Sequence, residues 1–420
     1  MDWPDMIRVR QKFSTQAVTD IASEVASQFK KLDLRNRAHR GASVAVGCSS
    51  RGIANYNIIV KATVDCLSQA GLEPFLFPAM GSHGAATAEG QKRVLEAYGI
   101  TESFVGAPIR SSLDTVQIGE TEDHLPVFVD KIASEADHLV LVNRIKPHTD
   151  FEHEFESGLL KMMAIGLGKE KGATVYHRAI MTYGYPRVLL SVARQVLDTG
   201  KIICGVGIVE NGYAQTATIR VLGAEEIITK EKELLVEARR LAPALPFEDV
   251  DVLIIDEMGK DISGTGFDTK VVGRILMPLI CGEPETPRVK RIVVCDLTKK
   301  SQGNADGIGI ADFVTETLVD KIDFDALHVN ALAAGEPERA KIPMALKDSR
   351  QAIQSAMESV GEIPVNELKL IRIKNTLKLD VIEVSSAYRE ELAERADLEM
   401  LSDARAMRFD RDGSLPPFTY

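Results

Sequence analysis

Six short runs in this chain are almost wholly apolar, and stretches of helical periodicity separate them. They are Ala42–Gly47, Glu73–Pro78, His138–Val142, Ile203–Val209, Val252–Ile255 and Arg291–Cys295. A strand that is apolar on both faces needs cover on both faces, and in a parallel sheet helices provide it. Ile58–Ala70, apolar at Ile58, Ile59, Ala62, Leu67 and Ala70, reads as such a helix, as do Ala88–Tyr98 and Ile227–Leu241. The pattern therefore predicts an α/β fold with mainly parallel sheets. At 420 residues the chain exceeds one typical domain. The stretch Leu241–Asp249 carries Pro243 and Pro246, which cannot continue the helix before them. Two α/β domains are expected, 1–245 and 246–420, with an active-site cleft between them. Asp410–Tyr420, rich in Gly and Pro, reads as a loose tail or a docked arm.

Charge and composition remove several classes. The net charge of −11 disfavours a nucleic-acid binder, which would normally be basic. The longest apolar runs, such as Ile275 to Cys281, are too short to span a bilayer. Asp2 and Asp5 stand where a signal peptide would be basic and then apolar. Cys48, Cys66, Cys204, Cys281 and Cys295 are widely spaced, which argues for reduced thiols and a cytoplasmic protein. No phosphate-loop, dinucleotide, His-Glu-x-x-His or Gly-x-Ser-x-Gly motif occurs in a fitting context.

The remaining candidates lie where open α/β sheets keep their ligands, at strand carboxyl ends. Gly81-Ser82-His83-Gly84 follows a strand, and its glycines leave the imidazole uncovered. Asn143-Arg144-Ile145-Lys146-Pro147-His148-Thr149-Asp150 crowds polar groups after another strand, although a solvated loop would have the same composition. Ser157-Gly158 opens a helix whose free N–H groups would suit a phosphate. Lys161 lies early on that helix among apolar neighbours. A lysine there usually snorkels, but burial can also make it a nucleophile. His177 is an ordinary structural histidine or a metal ligand. Arg51, in Ser49-Ser50-Arg51-Gly52, can clamp a carboxylate or cap a helix. Two glycine-bearing polar loops, Asp256–Gly266 and Asp296–Asn304, follow strands in the second half.

Taken in order, Arg51, Gly81-Ser82-His83, Lys146-Pro147-His148, Ser157-Gly158-x-x-Lys161 and His177 resemble the nickel-pincer lactate racemase family of 2-hydroxy-acid racemases and epimerases. The resemblance covers most of the chain. It implies nickel held by a pyridinium-3,5-bisthiocarboxylic acid mononucleotide attached covalently to Lys161, with His177 as the protein's metal ligand. It implies His83 and His148 as the catalytic pair and Arg51 as the carboxylate clamp. Ser157 and Gly158 would contribute to cofactor binding, as would Lys300, which falls in a polar region of the second half. The stretch from His148 to Lys161 is a few residues longer than the family pattern, which leaves His153 as the alternative to His148. The implied partners are a small 2-hydroxy acid and the enzymes that build the cofactor and insert nickel. No nucleic acid or membrane is implied, and self-association stays open.

Such chemistry suits these residue types. Deprotonating C2 beside a carboxylate is strongly disfavoured, whereas removing hydride gives a neutral ketone. A histidine can then take the hydroxyl proton, and two histidines on opposite sides would serve both epimers. Glu152, Glu154 and Glu156 crowd the approach to Lys161. If they face the substrate they would repel a second carboxylate, favouring a sugar acid or short 2-hydroxy acid. Two other readings remain: a zinc- or iron-dependent hydrolase or isomerase using His148, His153, Glu154 and His177, and a non-catalytic nucleotide-binding protein.

Overall fold

The computed structural model describes residues 2–50, 52–149, 151–276 and 282–418. Residues 14–148 and 152–242 form one compact unit, and residues 1–13, 149–151 and 243–420 form the other. The chain begins with β1 (Asp5–Gln11), which belongs to the second of these units. The change of unit at Ala242/Pro243 lies close to the expected boundary, but the first 13 residues group with the C-terminal part.

In the first unit, β2 (Ser43–Cys48), β3 (Glu73–Pro78), β6 (His138–Arg144), β7 (Ile202–Glu210) and β8 (Thr216–Gly223) form one sheet among the described residues, in the order β3-β2-β6-β7-β8. Its pairs are parallel except β7 with β8. A separate hairpin joins β4 (Thr115–Glu120) to β5 (Pro126–Asp130). β7 is buried at eight of its nine positions, as a central strand covered on both faces must be. Helices Ile21–Leu32 and Tyr56–Gln69 supply Val25, Phe29, Ile59, Val60 and Leu67 to the core on one face. From β2 the chain turns outward to β3, and from β6 it continues on the other side to β7. The switch point lies between β2 and β6. Tyr56 ties the carboxyl ends of these two strands together: Ser49 N–H donates to its Oη (2.6 Å), and its hydroxyl donates to the Val142 carbonyl (3.0 Å).

The second unit is built on a larger sheet. β9 (Asp249–Ile255), β10 (Arg288–Val294), β11 (Phe313–Thr315), β12 (Met344–Leu346) and β13 (Leu370–Ile373) pair in parallel, in the order β12-β11-β10-β9-β13. Beyond β13 the pairing turns antiparallel through β14 (Val381–Ser385), β1 and β15 (Leu398–Met400), with β16 (Arg405–Ala406) on β1. The C-terminal residues are a docked arm. Arg350 N–H donates to the Gly413 carbonyl (2.9 Å), Arg372 Nη2 donates to the Pro416 carbonyl (2.6 Å), and Phe418 is buried. Among the described residues no helix is long and apolar enough to cross a membrane. Cys48, Cys66, Cys204 and Cys295 carry free thiols. Cys281 lies outside the described residues.

Candidate active site

The segment that places Lys161 begins with a backbone pinch. Lys146 N–H donates to the Ser157 carbonyl (2.9 Å), and Ser157 N–H returns the bond to Lys146 (3.2 Å). Asn143 Nδ2, from the end of β6, holds the Gly158 carbonyl at 2.7 Å. A short helix then runs over Leu159–Lys161 and passes directly into a π turn, Met162–Gly166. π turns are rare and gather at functional sites. The helix Lys169–Tyr183 follows and carries His177, which is partly buried.

Within this arrangement Lys161 Nζ lies against His148 Nε2 in a close hydrogen bond. His148 is buried, and its ring centroid is 5.6 Å from that of Tyr185. Its backbone is fixed by Glu156, which is fully buried and accepts from His148 N–H, from His153 N–H (3.2 Å) and from Arg239 Nη2. His153 instead sets its ring beside Phe155, 6.0 Å between centroids, and its Nδ1 has no hydrogen-bond partner. Of the two histidines that sequence reasoning left open, His148 is the one whose ring meets the lysine.

The N–H groups expected to bind a phosphate are already taken. Glu231 Oε2 accepts from Leu159 N–H (2.8 Å) and Leu160 N–H (3.1 Å). Gly158 is needed because a Cβ there would fall 2.3 Å from Glu231 Oε1. Glu231 is fully buried, and desolvation pushes its pKa up to about 7 against the opposing pull of the two N–H bonds. Its Oε1 has no hydrogen-bond partner. A phosphate at Ser157-Gly158 would have to displace this carboxylate, so the structure gives that stretch a structural role.

His83 occupies the turn after β3. Gly81 (φ +60°) and Gly84 (φ +66°) adopt the left-handed backbone that the turn requires. Gln91 Nε2 donates to the carbonyls of Gly81 (2.9 Å) and His83 (3.2 Å). The turn also meets the π turn: a Cβ on Gly166 would lie 2.8 Å from the Ala79 carbonyl, so glycine permits the approach. His83, His148 and Lys161 thus all belong to the first unit, on segments that follow β3 and β6. Arg51 lies outside the described residues, after β2.

Other expectations change. Glu154 is exposed and pairs with Lys232 at 2.7 Å, while Glu156 is spent on Arg239 and the two backbone N–H groups. Their charges are compensated, so the argument that they repel a second substrate carboxylate loses its basis. The zinc or iron centre of His148, His153, Glu154 and His177 does not assemble. Among the described residues no group of three or more His, Cys, Asp or Glu side chains is placed to hold a metal. Lys300 is exposed on the short turn Lys299–Ser301 of the second unit. In the polar loops there, Asp256 pairs with Arg372 (2.8 Å), Lys260 with Asp306 (2.7 Å), and Thr298 Oγ1 with Ser301 Oγ (2.8 Å).

Sequence reasoning missed Glu231, Gln91 and Tyr185, and offered Lys169 only as the next candidate for attachment after Lys161. Glu231 left a signal, since it lies in register with Ile227, Leu234, Leu235, Ala238 and Leu241 on the buried stripe of its helix. Lys169 is wholly buried and forms a 2.9 Å ion pair with Asp130, so it is no substitute for Lys161 as an attachment point.

A model of the lactate racemase N-terminal domain matches residues 9–185. The fold is similar to that of the lactate racemase apoprotein from Thermoanaerobacterium thermosaccharolyticum. The TM-score is 0.51 at 14% identity, covering 86% of this chain and 93% of that one. No curated protein matches by sequence.

Proposed function

From the match of residues 9–185 to a model of the lactate racemase N-terminal domain, we propose that the chain is a racemase or epimerase inverting C2 of a 2-hydroxy carboxylic acid. The observation that carries this reading is the Lys161 amine held against the His148 imidazole at the start of a π turn. An amine beside a buried imidazole is what covalent attachment next to a proton-transfer group requires.

The donor set fits a nickel-pincer nucleotide. Such a group brings three of its metal's four donors and asks the protein for one attachment amine and one imidazole. The described residues offer single histidines and no three-ligand cluster. Lys161 would hold the group and His177 would complete the metal's ligands. When bound, the group supplies the hydride acceptor for C2.

The chain's own residues do the rest. In the unmodified protein Lys161 Nζ lies against His148 Nε2. With the amine taken up in attachment, the His148 imidazole would be able to take the substrate hydroxyl proton. His83 performs the same task for the opposite epimer. One histidine takes the hydroxyl proton and the other supplies a proton to the inverted product; exchange with solvent resets the pair, so a turnover has no net redox change. Arg51 binds the substrate carboxylate, holding the keto acid until hydride is returned. Enzymes that build the nucleotide and insert nickel are the required partners, in the cytoplasm where they work.

The test is to co-express the chain with those enzymes, then measure intact mass and bound metal. The wild type should carry the nucleotide mass and nickel. Lys161→Ala should carry neither, and His177→Ala should keep the added mass while losing nickel. Zinc without an adduct, or an adduct that survives in Lys161→Ala, would overturn the reading.

A further inference from the structure

Lys169 is an unusual residue to find wholly buried, and it opens its helix in the left-handed conformation at φ +53°. A non-glycine residue held there signals a surrounding structure that over-determines it. The surroundings are three oxygens around the ammonium: the Pro78 carbonyl at 2.5 Å, Gln91 Oε1 at 3.0 Å and Asp130 Oδ2 at 2.9 Å. They come from the end of β3, the helix Ala88–Ala97 and the end of β5. Two of the ammonium's N–H donors go to Pro78 and Gln91, and Asp130 supplies the counter-charge.

Gln91 is equally committed. It is fully buried, and its Oε1 faces Lys169. Its two amide hydrogens go to the carbonyls of Gly81 and His83. The lysine fixes which way round the amide sits, because only its oxygen can face an ammonium. That orientation aims both donors at the His83 turn.

We propose that Lys169 and Gln91 are positioning residues that act as one relay, fixing the His83 turn against the segment that carries Lys161. The catalytic part of this claim rests on the reading of His83 as a base. The mechanical part stands on the hydrogen bonds alone.

Lys169→Met strips buried Asp130 of its counter-charge and is expected to unfold the protein, so Gln91→Glu carries the test. A glutamate still offers Lys169 an acceptor, but it cannot donate to either carbonyl of the turn. Hydrogen–deuterium exchange read by mass spectrometry should show the segment 81–87 exchanging about tenfold faster or more in Gln91→Glu. The thermal midpoint should fall by a few degrees, since two buried carbonyls lose their donor, with unfolding still cooperative. In enzyme loaded with cofactor, kcat should fall by about 10²-fold with KM little changed, as for a misplaced catalytic group. Unchanged exchange in the turn overturns the relay whatever the enzyme does. Faster exchange with unchanged kcat overturns the catalytic role. A wild type that interconverts no 2-hydroxy acid sinks the functional reading instead, while the exchange comparison still decides the relay.

Discussion

Glu231→Gln should remove a pH dependence of stability that the wild type carries. The Glu231 carboxyl has a pKa raised to about 7 by burial, against an ordinary value of 4.5. A group whose pKa is higher folded than unfolded contributes its full stability only below the unfolded value. That contribution is lost as pH rises towards the folded value. A gap of this size is worth roughly 3 kcal/mol, of which about 2.5 kcal/mol is lost between pH 5 and pH 8. For a unit of this size each kcal/mol moves the thermal midpoint by roughly 2–4 °C. Glutamine does not titrate. It does bury an amide beside Gly158 with no acceptor, a penalty of about 1–3 kcal/mol that is the same at every pH. Thermal unfolding of both proteins from pH 5 to pH 8 isolates the titrating part. The midpoint of Glu231→Gln, taken relative to wild type, should rise by about 5–10 °C across that range. Parallel curves would refute the reasoning. They would mean that the N–H groups of Leu159 and Leu160 keep Glu231 ionised throughout.

Gly158→Ala should destabilise the first unit by roughly 1–3 kcal/mol, because its Cβ would overlap Glu231 Oε1. In a Glu231→Ala background the cost should shrink by at least about 0.5 kcal/mol, and equal costs in the two backgrounds would place the strain elsewhere. His83→Ala and His148→Ala should each lose about 10²–10⁴-fold in the half-reaction of one epimer and retain the other. Rapid mixing of loaded enzyme with each epimer, followed by absorbance, would check this. A His148 variant indistinguishable from wild type with both epimers would move the role to His153.

Six parallel strands were legible because burial on both faces writes them as continuous apolar runs, whereas β11, β12 and β13, of only three or four residues each, were not read. Glu73–Pro78 begins and ends where the pattern placed it, as does the helix Ile227–Leu241. β1 was not legible. Charged residues interrupt its four buried positions, and its partners lie more than 360 residues later in the chain. His83, His148, Lys161 and His177 stood out as candidates because each sits in a short motif. The roles of Lys169 and Gln91 could not be read, since they depend on a three-way meeting of β3, β5 and a helix that no local spacing records. The helix-start pattern at Ser157-Gly158 did expose its N–H groups as binding partners. It could not show that a carboxylate 72 residues later in the chain takes them.

The place of β1 bears on how the protein is made. It lies between β14 and β15 in the sheet, yet it leaves the ribosome long before either of them. At roughly 5–20 residues per second, tens of seconds pass before Val381–Ser385 exists to receive it. During that time the first unit can close, since its residues all precede Pro243. β1 meanwhile remains an unpaired strand bearing Met6, Ile7 and Val9, open to pairing with other nascent chains. Completion of the second sheet is therefore a late step that joins the two ends of the polypeptide. Any extension fused before Asp5 must remain slack enough to let that strand slide into the middle of a sheet already mostly formed.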